Sequence, residues 1–171
     1  MIDDTDEGQR LRGWITNSYA QIEFLLGDLI VRCREFSEYQ LHTGTLPYGG
    51  SGRVKKVRLI LKKNGPLDRF TDRLLTVINR FDEGHDIRNL LAHGFCVYLH
   101  TSNGDAALQF QKWHRQPDRD DAQLIRTFRL SDMASEKKEF VSLANEALCL
   151  FKEIHDHFGW SARPEIGRAH V

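Results

Sequence analysis

The chain has 171 residues, the length of one domain able to bury roughly 70% of its unfolded surface. Its 40% apolar and 28% charged residues describe an ordinary globular composition. Lys+Arg and Asp+Glu both number 24, which excludes a global basic signature; any nucleic-acid surface must be local. No apolar run reaches the ~20 residues of a membrane span. The acidic start, Asp3, Asp4, Asp6 and Glu7, is the reverse of a signal peptide, so no membrane association and a cytoplasmic location are expected. Cys33, Cys96 and Cys149 are isolated, with no C-x-x-C, and two of them sit in apolar helical patterns, which reads as reduced core thiols and no metal site.

Leu11, Ile15, Tyr19, Ile22, Leu26, Leu29, Cys33 and Phe36 recur at steps of three and four, predicting one helix over 9–36. A second stripe, Ala20, Phe24, Gly27 and Val31, makes that helix apolar on two sides, as suits a central position or a subunit contact. Residues 43–52, with Pro47 and several glycines, read as a loop, and 54–62 as a short helix. Pro66 opens a pattern running to His93, interrupted at Gly84 by a kink or a tight contact and capped by Gly94.

The period then changes to two. Residues 95–99 and 106–113 flank Asn103-Gly104, a strong hairpin signal, and 124–130 reads as a third strand. Ser131 is placed to cap a last helix with the stripe Phe140, Ala144, Ala147, Phe151, Ile154 and Phe158, ending at Gly159. The expected fold is mainly α: an antiparallel helical bundle over 1–160, with a small antiparallel sheet of two or three strands inserted at about 95–130. A loosely held tail, 161–171, follows.

The stretch Arg88-Asn89-Leu90-Leu91-Ala92-His93 carries the most chemistry. Arginine grips a phosphate with a permanently charged planar fork, and histidine moves protons near neutrality. The stripe Leu74, Ile78, Phe81 continues through His85, Arg88, Asn89 and Ala92, so an apolar face turns polar along one helix. That face reads as leaving the core for a cleft, because buried His, Arg and Asn would need partners. Helix geometry sets Arg88 and His93 about 140° apart, so bringing them together needs Arg88 to reach round, a loosened last turn, or a second copy of the chain. Asp86 and Glu83 are candidates to orient either residue. On spacing alone, the same residues also read as a solvated ion network with His93 decorating the helix end.

This motif, at the end of the third helix of a helical core, resembles the HEPN superfamily, marked by Arg, four to six residues, then His. The segment Tyr19-Ala20-Gln21-Ile22-Glu23-Phe24-Leu25-Leu26-Gly27 is similar to the helix beside that motif in several HEPN families. The resemblance implies a homodimer whose composite cleft cuts RNA without a metal or other cofactor. Arg88 and His93 would be catalytic, with Asn89 fixing the His ring or a phosphate oxygen, and His85, Asp86 and Glu83 in support. It further implies a toxin or defence effector, with an antitoxin or other protein partner. The alternative is a HEPN-like module that holds RNA, nucleotide or protein without catalysis; a third reading is an unrelated helical interaction protein. Some toxin members carry a tyrosine two residues after the His that an antitoxin modifies; this chain has Phe95 there and Tyr98 further on.

Arg53, Lys55, Lys56 and Arg58 form a basic run that reads either as an RNA-backbone contact or as a solvated helix face. Trp113 and His114 beside Lys112 read as a base-stacking platform or as sheet packing. His155 and His157 diverge on a helix, which argues against a shared metal ion.

Overall fold

The first helix organises the molecule because its apolar stripe is continuous. Leu11, Ile15, Tyr19, Ile22, Leu26 and Leu29 are all buried along α1 (Asp4–Arg32). In the computed structural model, which describes residues 4–100, 106–114 and 122–160, α1 lies along the last helix, α6 (Leu130–His157). Helices α3 (Gly50–Leu61) and α5 (His85–His93) pack on its other sides, with a one-turn α2 (Gln40–Thr43) before α3 and α4 (Thr71–Glu83) before α5. A three-stranded antiparallel sheet in the order β1 (Phe95–His100), β2 (Ala106–His114), β3 (Ala122–Arg129) precedes α6. The fold is therefore mainly helical with a small sheet before the last helix. One apolar core joins helices and sheet, with Leu108, Phe110 and Phe128 from the sheet's inner face. Among the described residues, no helix is long and apolar enough to cross a membrane.

Several boundaries differ from the sequence expectation, each for a local reason. Helix α1 runs from Asp4, five residues before its expected start at 9, with Asp4, Asp6 and Glu7 in its first turn, where acidic side chains suit the helix dipole. It ends at Arg32, and Cys33–Glu35 tightens into a 3-10 turn. Helix α3 begins inside the expected loop, at Gly50, following an extended Gly49. The long helix expected from Pro66 to His93 is a 3-10 turn and two helices, parted at Gly84. A Cβ on Gly84 would stand 2.5 Å from Cζ of the buried Phe140, so the chain bends where that ring presses on the backbone.

Gly94 ends α5 without the left-handed conformation of a usual glycine cap: its φ is −76° and ψ 142°, and the chain enters β1 directly. Its lack of a side chain serves close approach, since a Cβ there would lie 2.5 Å from the Leu90 carbonyl oxygen and 3.3 Å from Cβ of Phe110. Ser131 is inside the first turn of α6 rather than capping it; the Asp132 carboxylate accepts the Arg129 N–H at 3.1 Å. At the other end Gly159 has φ +67°, as a helix-terminating glycine should. The Asn103-Gly104 turn, the loop 115–121 and the tail 161–171 lie outside the described residues.

Of the second stripe on α1, only Gly27 is covered: Nη1 of Arg53 would stand 3.1 Å from a Cβ there. Phe24 is 69% exposed and Val31 also opens to solvent. Cys33 is buried and Cys96 half-buried, while Cys149 is exposed on α6, outside the core expected for it.

Candidate functional site

Arg88 and His93 line one cavity of about 600 Å³, walled by α5, by Glu23 on α1 and by Tyr48, Gly49 and the glycine-rich start of α3. Both residues thus reach one cavity within a single chain, although helix geometry sets them about 140° apart. Gly50 lets the start of α3 approach α1 and α4 closely, since a Cβ there would lie 3.3 Å from the Phe81 ring and 3.5 Å from the Glu23 carboxyl carbon.

Arg88 is held from three directions. Its Nη2 donates to Glu23 Oε2 at 3.4 Å, its Nη1 donates to Asn89 Oδ1 at 2.9 Å, and its guanidinium stands 5.2 Å over the Tyr19 ring. That ring stacks on Phe81 with centroids 4.0 Å apart. The Glu23 contact is longer than the 2.7–2.9 Å usual for charge-assisted bonds. These two hydrogen bonds use two of five N–H groups, so the fork is oriented while donors remain for an anion.

His85 sits at the centre of the network. Arginine only donates, so Asn89 turns its oxygen to Arg88 and its amide N–H to Nε2 of His85, 2.8 Å away. Nε2 is then the acceptor, and the ring proton belongs on Nδ1, facing the Tyr19 hydroxyl at 2.9 Å. The Ser51 hydroxyl lies 3.2 Å from the same Nε2. Burial pushes the Tyr19 hydroxyl well above the ordinary tyrosine range, against the pull of Arg88, so it is a neutral phenol at neutral pH.

His93 differs. It is the exposed last residue of α5, lines the cavity and has no hydrogen-bond partner among the described residues.

The structure thus gathers Arg88, His93, Asn89 and His85. Asp86 is exposed and lines a second cavity on the far side of His85, and Glu83 lines a third, against Phe140. Neither pairs with Arg88; Glu23 does. Three of the four basic residues of α3 are engaged locally: Arg53 donates to the Pro47 and Glu23 carbonyls, Lys56 to Thr45, and Arg58 to Asn79 and Asp82. Lys55 is exposed, and none of the four lines the Arg88 cavity. Tyr98 donates to the Thr5 and Asp4 carbonyls at the start of α1. Trp113 is 69% exposed rather than packed. His155 turns to Asp28 and His157 to the Phe70 ring, so that pair diverges as its spacing requires.

Tyr19, Glu23, Ser51 and Tyr48 join the site without having stood out as functional in the sequence. Tyr19 reads as one more member of the apolar stripe. The available signal was Glu23, an acid one turn after Tyr19 and next to a core isoleucine.

No protein-family model, curated protein or solved structure matches the chain.

Proposed function

We propose that this chain is a metal-independent endoribonuclease of the HEPN type that works as a homodimer, in the manner of a toxin or defence effector checked by an antitoxin or another protein partner. The observation that carries the reading is the pairing of an oriented Arg88 with an unengaged His93 on one cavity. A ribose 2′-oxygen attacks the adjacent phosphorus and the bond to the 5′-oxygen breaks, leaving a 2′,3′-cyclic phosphate and a 5′-hydroxyl. His93 takes the 2′-hydroxyl proton, and the partner's His93 returns one to the leaving 5′-oxygen. Arg88 binds the phosphate and offsets the charge that builds on it. Asn89 holds both Arg88 and the His85 ring in place. The open apolar positions Phe24 and Val31 on α1 supply surface for the second copy.

One observation favours the second reading, a non-catalytic module holding RNA, nucleotide or protein: the Arg88–Glu23 pair partly neutralises the cation. RNA cleavage in excess chelator decides between them, with wild type, Arg88→Ala and His93→Ala compared and a substrate carrying 2′-deoxyribose at the cut site. Cleavage lost in both variants and in the deoxy substrate, with a cyclic phosphate product, supports catalysis. General acid–base loss at His93 should reach roughly 10²–10⁴-fold. An inert wild type, or three proteins that cut alike, leaves the binding module in its place.

A further inference from the structure

The inner face of the sheet changes character along its length just as α5 does. Leu108 and Phe110 on β2 and Phe128 on β3 are buried on that face. Side chains alternate across a strand, so the next residues on the same face are Lys112 on β2 and Leu124 and Arg126 on β3. The register pairs Lys112 with Leu124 and Phe110 with Arg126. Past the core these three overhang α5 and enclose a cavity of about 740 Å³, whose opposite wall is His85, Asp86 and Asn89. His85 and Asn89 also line the Arg88–His93 cavity, so one pair of side chains is the ridge between the two spaces.

The geometry points to the sheet-side cavity as a nucleotide subsite, taking the residue of single-stranded RNA next to the phosphate held by Arg88. This rests on the ribonuclease reading only for which phosphate is cut. Neither Lys112 nor Arg126 has an ion pair among the described residues, and the guanidinium of Arg126 is steadied 4.9 Å over the Phe128 ring. Among the described residues lining this cavity, two cations stand against the one carboxylate of Asp86, which favours an anion. Leu124, 45% exposed, offers apolar surface for the flat face of a base above the buried Leu90, and the Asp86 carboxylate is an acceptor suited to base amino groups or a ribose hydroxyl. The volume falls in the range of small-ligand pockets, roughly 300–1,000 Å³. The inserted sheet would thus lengthen the RNA path beyond the Arg–His centre.

The test measures binding of 2′-fluoro RNA, which cannot supply the attacking hydroxyl, to wild type, Lys112→Gln/Arg126→Gln and Leu124→Glu across a salt series, with melting curves to check folding. Each phosphate contact on a single strand contributes roughly 0.7 to the slope of log K against log salt, so the double variant should lose about 1.4 from it. Leu124→Glu should weaken binding by placing a carboxylate among the phosphates. With cleavable RNA the double variant should raise KM rather than lower kcat. If wild type cuts RNA and both folded variants match it in slope and KM, the subsite is overturned while the ribonuclease reading stands. If wild type binds RNA with the expected slope losses but never cuts, the ribonuclease reading falls and the subsite stands. Variants that change only self-association, with RNA binding intact, overturn it in favour of a contact between copies of the chain.

Discussion

Asn89 lies between Arg88 and His85 and fixes both: it accepts from the guanidinium at 2.9 Å and donates to Nε2 of the imidazole at 2.8 Å. Because arginine has no acceptor, this one amide relays the direction of the arginine fork to the tautomer of the histidine. Replacing Asn89 with Ala should leave the His85 ring a mixture of tautomers, visible in its ¹⁵N shifts, where wild type shows the Nδ1–H form. Loss of orientation at Arg88 should cut RNA cleavage by up to about 10²-fold. A wild-type ring protonated on Nε2 would sink this account of the network.

Glu23 opposes the phosphate-binding role proposed for the residue it holds. Glu23→Gln keeps a hydrogen-bond acceptor for Arg88 and removes the negative charge from the cavity. RNA or phosphate binding should tighten by about 1 kcal/mol, roughly fivefold, as befits one partly screened charge. Weaker binding in Glu23→Gln would mean that the carboxylate charge itself holds Arg88 in its binding geometry.

The two glycines flanking α5 should respond differently to alanine. At Gly84 the new methyl meets the tip of the Phe140 ring, which can swing, and better helix propensity offsets about 1 kcal/mol. At Gly94 it meets a backbone carbonyl that itself accepts the Gly94 N–H at 2.7 Å. Overpacking of this kind costs about 1–3 kcal/mol, or roughly 2–12 °C in Tm for a chain of this size. Thermal melts should rank Gly94→Ala below Gly84→Ala, and the reverse order would contradict the geometry.

Alkaline pH should destabilise the fold through two buried acids. Burial pushes the Cys33 thiol from 9.0 up to about 12, with Glu35 and Asp28 adding to the shift, and burial raises the Tyr19 hydroxyl as well. Both groups are neutral when folded and ionise earlier when unfolded. The Cys33 contribution is complete below pH 9.0 and is lost as pH rises from there through about 12, while that of Tyr19 begins to fall only above pH 10.0. Urea midpoints should fall across that window, and less steeply in Cys33→Ala. In the native protein at mildly alkaline pH, a thiol reagent should label exposed Cys149 and spare Cys33.

Periodicity alone determined the helical frame and the antiparallel strands, because burying one face of each element demands a 3.6- or two-residue repeat. The same rule showed a helix face turning from Leu74, Ile78 and Phe81 to His85, Arg88 and Asn89. It left out what lies opposite that face. The break at Gly84 depends on where Phe140 of α6 comes to rest, and the cap at Gly94 on Leu90 and Phe110. Asp86 and Glu83 were the near neighbours of Arg88 in sequence, yet Glu23, 65 residues away, pairs with it. Local pattern reports which way a side chain leaves its own helix. Only the packing of α1 and the start of α3 against α5 decides which group meets it, since that depends on contacts far apart along the chain.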